Sequence, residues 1–124
     1  KNDILIQLQS FGYKYGIPED SDFVFDVRCL KNPFWDKKLR GLNGKNKKII
    51  NFLEDDDQTP RMLKSILSFL NIWIPKILES DRNYLTISTG CTGGHHRSVY
   101  ITEKLYKLLK NKYNKIIIKH RDID

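Results

Sequence analysis

Cysteine is scarce in this chain: Cys29 and Cys91 are the only two among 124 residues. Two are too few for a disulfide scaffold, and no C-x-x-C pair is present to hold zinc or run thiol exchange. Such usage fits a reducing compartment, and the expected location is the cytoplasm. Long apolar runs are missing as well. The uninterrupted ones are a few residues long, against the roughly 20 a bilayer-spanning helix needs, and no apolar segment with a cleavage site reads as a signal peptide. No membrane contact is expected. Of the three histidines, His95 and His96 are adjacent and point in different directions, and His120 stands apart. None has Glu-x-x-His or paired-cysteine spacing, so no metal site is assigned. Internal repeats and low-complexity tracts are absent.

What is present suits one compact domain. Hydrophobic residues make up 40% of the chain and aromatics 11%, enough to build a single core at this length. Lys and Arg total 22 against 15 Asp and Glu, giving a net charge of +7 and favouring anionic partners, phosphates or nucleic acid. The acidic run Glu54-Asp55-Asp56-Asp57 reads as a solvated loop and is given no function. The first residue is Lys1, and the chain is expected to be a domain of a longer protein.

Hydrophobic period places the elements. Ile4, Ile6 and Leu8 alternate with Leu5, Gln7 and Gln9, a strand ending near Ser10; Phe23 to Arg28 is rich in strand formers and reads as a second. Asn32-Pro33 breaks it, and an irregular stretch leads to a short helical pattern at Ile49, Ile50 and Leu53. Thr59 followed by Pro60 reads as an N-cap with proline at the first helical position. From Leu63 to Leu78 apolar residues recur every three or four positions, with a kink expected at Pro75. Tyr84 to Thr89 is a third strand. A glycine-rich segment follows, then a helix through Ile101, Leu105, Leu108 and Leu109. The β-branched run Ile116-Ile117-Ile118 reads as a buried fourth strand. The alternation predicts a single α/β domain, three-layer-like, with a mostly parallel sheet of about four strands and flanking helices. Ligands of such sheets bind beyond the carboxyl ends of the strands.

The segment Gly90-Cys91-Thr92-Gly93-Gly94-His95-His96-Arg97-Ser98 falls at such an end. Between a strand and a helix, successive backbone N–H groups and the helix dipole converge on an anion, so the segment is expected to cradle phosphate. Gly93 and Gly94 let the backbone approach the ligand, Arg97 offers a planar fork to two phosphate oxygens, and His96 adds a switchable donor. The plainer reading is a tight glycine turn in which Arg97 pairs with a surface carboxylate. Cys91 and Arg97, five residues apart and followed by Ser98, also match the C-x5-R-[ST] loop of cysteine-dependent phosphatases. There a thiolate attacks phosphorus, the arginine holds the equatorial oxygens and the hydroxyl assists the leaving thiolate. That mechanism needs a general acid, for which Asp26 and Asp36 are available, and the histidine usual before the cysteine is Gly90 here. The plainer alternative is an inert core cysteine.

In Asp26-Val27-Arg28, a period of two puts the two charged residues on one side of the strand. Arg28 is then either a second anion ligand or the partner of Asp26 in an ion pair. Phe34 and Trp35 stack on a sugar or base, or belong to the core. Lys14, Lys37, Lys38, Arg40 and the basic residues near the C-terminus either track phosphates or solubilise the surface.

Taken together, Ser10-Phe11-Gly12-Tyr13-Lys14-Tyr15-Gly16-Ile17-Pro18, Val24-Phe25-Asp26-Val27-Arg28, Asn32-Pro33-Phe34-Trp35 and Gly90 to Tyr100 resemble the C-terminal domain of the bacterial RapZ family, over about Ser10 to Arg121. The resemblance implies a regulatory domain that senses an amino-sugar phosphate, glucosamine-6-phosphate, and in some members binds small RNAs presented to an endoribonuclease. It implies no catalytic residue and no cofactor in this domain. ATP or GTP belongs to a preceding P-loop domain, whose G-x-x-x-x-G-K-[ST] does not occur in residues 1–124, and the full-length protein is expected to be a homo-oligomer. By the same resemblance Thr92, Gly93, His96 and Arg97 belong to the ligand pocket and Lys14 to an RNA contact. His95 stands where some members carry lysine, and Phe34 where the family often has a pocket histidine. The last residues, Arg121-Asp122-Ile123-Asp124, differ from the basic tail of the RNA-binding members.

Overall fold

The computed structural model describes residues 4–124; Lys1, on which the expectation of a longer parent chain rests, lies outside them. The strands are β1 (Leu5–Gly12), β2 (Phe23–Asp26), β3 (Tyr84–Cys91) and β4 (Ile116–His120), and the helices α1 (Lys47–Glu54), α2 (Gln58–Leu78) and α3 (Arg97–Leu109). The strands form one all-parallel sheet in the order β2-β3-β1-β4, so this is the single α/β domain the alternation predicts.

Period-two patterning divides the sheet into two chemically different faces. Ile6 and Leu8 of β1 lie beside Leu85 and Ile87 of β3, and these four pack against Ile66, Leu70 and Ile74 of α2 and Ile101, Leu105 and Leu109 of α3. Each such side chain, buried to within a few per cent, contributes about 1.5–3 kcal/mol relative to exposure. On the other face, Gln9 Nε2 donates to Ser88 Oγ at 3.2 Å, and Ser88 Oγ meets Ser21 Oγ at 2.6 Å. Ser21 lies in the connection from β1 to β2, which carries a 3-10 turn, Tyr13–Tyr15, and no α-helix. That connection runs across the sheet in the opposite sense to the β2–β3 and β3–β4 crossovers, so the right-handed rule sends it over the opposite face.

Several boundaries depart from the sequence reading. β1 and β3 each run about two residues past their expected ends, because Phe11 pairs with Gly90 and Gly12 with Cys91. The glycine-rich segment therefore begins inside a strand. β2 stops at Asp26. β4 is an edge strand rather than a buried one: among the described residues only β1 flanks it, and Ile117 is 43% exposed. Thr59 is not the cap of α2. It lies within the helix with its hydroxyl buried and unpartnered, and the first turn is held by Asp56, whose carboxylate accepts from Gln58 N and whose carbonyl accepts from Thr59 N. Pro60 is third in the helix, where its missing N–H is still one of the four that have no helical acceptor. The helix continues through Pro75 to Leu78.

Candidate functional site

The carboxyl end of β3 and the start of α3 are joined by five residues, Thr92 to His96, and the sheet dictates their path. Gly12, opposite Cys91 in the register, abuts the Gly93–Gly94 peptide so closely that a Cβ there would sit 2.6 Å from the Gly93 carbonyl oxygen and 2.7 Å from the Gly94 nitrogen. Gly94 turns with φ +77°, a conformation that L side chains rarely adopt. Two backbone bonds pin the loop from outside: Lys14 N donates to Thr92 O at 3.0 Å and Gly44 N to His95 O at 2.7 Å. Among the described residues, none of the backbone N–H groups from Thr92 to His96 donates to another backbone group. These donors stand at a helix N-terminus, the arrangement that binds anions.

Arg97 is 3% exposed. Its Nη1 donates to the carbonyls of Arg28 at 2.6 Å and Leu30 at 3.0 Å, Nη2 reaches Thr92 Oγ1 at 3.5 Å, and Nε is buried with no partner. The reading in which Arg97 pairs with a surface carboxylate is thus replaced by a buried guanidinium wired to carbonyls. Burial lowers its pKa, opposed by negative charge at Cys91, Cys29 and Asp26 and by a side-chain contact with Cys91, and an arginine stays charged under such a shift. His96 is also buried, with Nε2 3.2 Å from the Arg40 carbonyl. A carbonyl only accepts, so Nε2 bears the proton. Burial depresses the His96 pKa, the Leu42 and Arg40 carbonyls oppose this, and the His95 and Arg97 charges add to it, so the ring is neutral at pH 7.

A cleft of about 370 Å³ opens over this loop. Cys91, Thr92, Gly93, His95, His96 and Arg97 form its base. Its walls are Lys14 and Tyr15 on one side, and Asn32, Phe34, Trp35 and Arg40 on the other. The second wall is a short 3-10 turn, Pro33–Trp35, capped by Asn32 Oδ1 accepting from Phe34 N. Arg40 braces it, donating from Nε to Phe34 O at 2.9 Å with its guanidinium over the Phe34 ring. The two aromatics belong to the cleft and not to the core, and Trp35 is 76% exposed.

Other expected site residues lie around this cleft. Gly94 and Ser98 back the loop; the Ser98 hydroxyl accepts from Cys91 Sγ at 3.1 Å. Arg28 forms the ion pair: its Nε and Nη2 grip the Asp26 carboxylate, Nη2 to Oδ2 at 2.7 Å, while its guanidinium stacks over Tyr13 at 3.9 Å. What Arg28 gives the site is its backbone carbonyl, which holds Arg97. The Arg28 fork also keeps the Asp26 carboxyl below the usual carboxylate range, so Asp26 is ionised at neutral pH and has no proton to donate.

A family model described as the RapZ C-terminal domain matches residues 4–124. The chain belongs to the RapZ family. It is 50% identical over 121 residues, 98% of the chain, to a nucleotide-binding protein of Hahella chejuensis. It is also 50% identical over 120 residues to one of Acinetobacter baylyi and 41% over 124 to one of Glaesserella parasuis. The chain spans about two fifths of the length of these relatives, 42%, 42% and 43% respectively. In and beside this cleft, Asn32, Tyr15 and Gly12 are the residues sequence reasoning left without a role, and Arg40 is the brace it did not foresee. Arg40 was visible only as one surface base among many. For Gly12 the signal was its place in the glycine-bearing Ser10 to Pro18 motif, which says nothing of what it touches.

Proposed function

We propose that the cleft binds a phosphorylated small molecule of the glucosamine-6-phosphate type, as a regulatory site. The phosphate sits on the unengaged N–H groups of Thr92 to His96 beside the Arg97 guanidinium, with the neutral His96 ring next to it, its Nδ1 left as an acceptor for a ligand hydroxyl. The observation that carries this reading is the run of N–H groups from Thr92 to His96 that donate to no backbone acceptor, at the base of a cleft that the buried Arg97 also lines. A phosphate oxygen gives such donors at a helix N-terminus an acceptor, and the guanidinium offsets its charge. Phe34 and Trp35 face the sugar ring, whose C–H surface packs on aromatic planes. Isothermal titration with glucosamine-6-phosphate tests the assignment: saturable one-site heat is expected, and absence of heat at millimolar ligand contradicts it.

Small RNA is the second proposed ligand, through Lys14 at the cleft mouth, with presentation to an endoribonuclease in the whole protein. Binding is then expected to weaken with salt and in Lys14→Ala, and removing one lysine–phosphate pair flattens the salt dependence by about one unit of slope. RNA affinity indifferent to both contradicts that role. The whole protein is further proposed to be a cytoplasmic homo-oligomer in which a preceding P-loop domain holds ATP or GTP.

One contact favours a second reading. Cys91 Sγ at the cleft base, hydrogen-bonded to Ser98 with Arg97 beside it, has the layout of a thiolate phosphatase. Its mechanism lacks a proton donor in Asp26, for the reason given above. Release of inorganic phosphate that disappears in Cys91→Ser is the result that would establish it.

A further inference from the structure

Beneath the phosphate loop the last strand closes with a buckle that neither ligand reading uses. Gly12 N donates to Asp122 Oδ2 at 2.7 Å. Arg121 grips the same carboxylate through Nε to Oδ1 at 3.0 Å and Nη2 to Oδ2 at 2.9 Å. Its Nη2 also reaches the Gly12 carbonyl at 3.3 Å, and its backbone N donates to Ser10 O at 3.0 Å. The Arg121 guanidinium lies over the Phe11 ring, and that ring fills the space beside Gly90. Asp122 therefore accepts from three N–H groups. Burial raises its pKa, but the Arg121 fork, the Gly12 N–H and the charges of Arg121 and His95 outweigh it, and the carboxylate is ionised at neutral pH.

The other side of Gly12 is the Gly93–Gly94 peptide. Backbone packed against backbone at that distance has no flexible side chain to absorb a shift, so a displacement of Gly12 passes to the loop. Gly12 is itself buried, and without Asp122 its N–H has no acceptor. We infer that Asp122 is a positioning residue for the phosphate loop, acting through Gly12 and held in place by Arg121. The assignment rests on the phosphate-binding reading of that loop for its functional meaning, and on Gly12 alone for its geometry.

The test compares Asp122→Ala and Asp122→Asn by amide NMR and by titration with glucosamine-6-phosphate. In Asp122→Ala the Gly93 and Gly94 amide resonances move in the ligand-free protein and affinity falls about tenfold, the consequence of an orphaned buried N–H. Asp122→Asn, whose amide oxygen still accepts from Gly12, stays within about threefold of the parent because one neutral bond replaces a charge-assisted one. Unmoved Gly93 and Gly94 resonances in a folded Asp122→Ala overturn the inference, as does unchanged affinity. Should Asp122→Ala not fold, Arg121→Ala decides: it leaves the carboxylate but frees it, and the same two resonances must move. If the parent protein binds no glucosamine-6-phosphate, the ligand reading fails while the resonances still decide whether Asp122 positions the loop.

Discussion

The backbone carbonyl of Arg28 accepts a 2.6 Å hydrogen bond from Arg97 Nη1, so one arginine holds another through its main chain while its own side chain is turned to Asp26. The site's two central arginines therefore have unequal roles. Arg97 carries the charge into the cleft, and Arg28 supplies an acceptor that any residue could supply.

Arg28→Ala is accordingly expected to leave glucosamine-6-phosphate affinity within about twofold. The ion pair it removes is half-exposed and screened by solvent, so it adds little to stability. Titration alongside thermal melting checks affinity and stability; a tenfold loss of affinity would return Arg28 to the ligand.

Gly12→Ala places a methyl group against the Gly93–Gly94 backbone. Since neither partner is a flexible side chain, about 1–3 kcal/mol of stability is expected to be lost, with ligand affinity falling in parallel. Denaturant unfolding measures the first and titration the second. Wild-type values for both would mean that the loop is free to move.

His96 gives stability a pH dependence of definite sign. Its folded pKa lies below the unfolded value of about 6.5, so the unfolded chain takes up a proton that the folded chain refuses. The contribution is complete above about pH 6.5 and is lost as pH falls from there through the folded pKa. Unfolding free energies measured from pH 7.5 to 4.5 should decline in the parent and decline less in His96→Gln. Equal slopes would contradict the neutral, buried ring.

The sheet was legible in the sequence wherever period two was strong: Ile6, Leu8, Leu85 and Ile87 announced the apolar face, and the strand-to-helix glycines announced a loop whose backbone N–H groups meet no backbone acceptor. Strand order was not legible, because Ile116-Ile117-Ile118 reads alike in a central and an edge strand. Nor was the posture of Arg97. Its partners are carbonyls 67 and 69 positions away, and carbonyls carry no sequence signature. The aromatic wall failed for a related reason: whether Phe34 and Trp35 face the core or the cleft depends on a 3-10 turn braced by Arg40, and composition gives the same two residues to either.

The most direct measurement is phosphorus NMR of glucosamine-6-phosphate on addition of the protein, with Arg97→Ala beside it. The account predicts a shifted or broadened phosphate resonance, no growth of inorganic phosphate, and an unperturbed resonance with the folded variant. An unperturbed resonance with the parent protein, or one perturbed equally by Arg97→Ala, would contradict it.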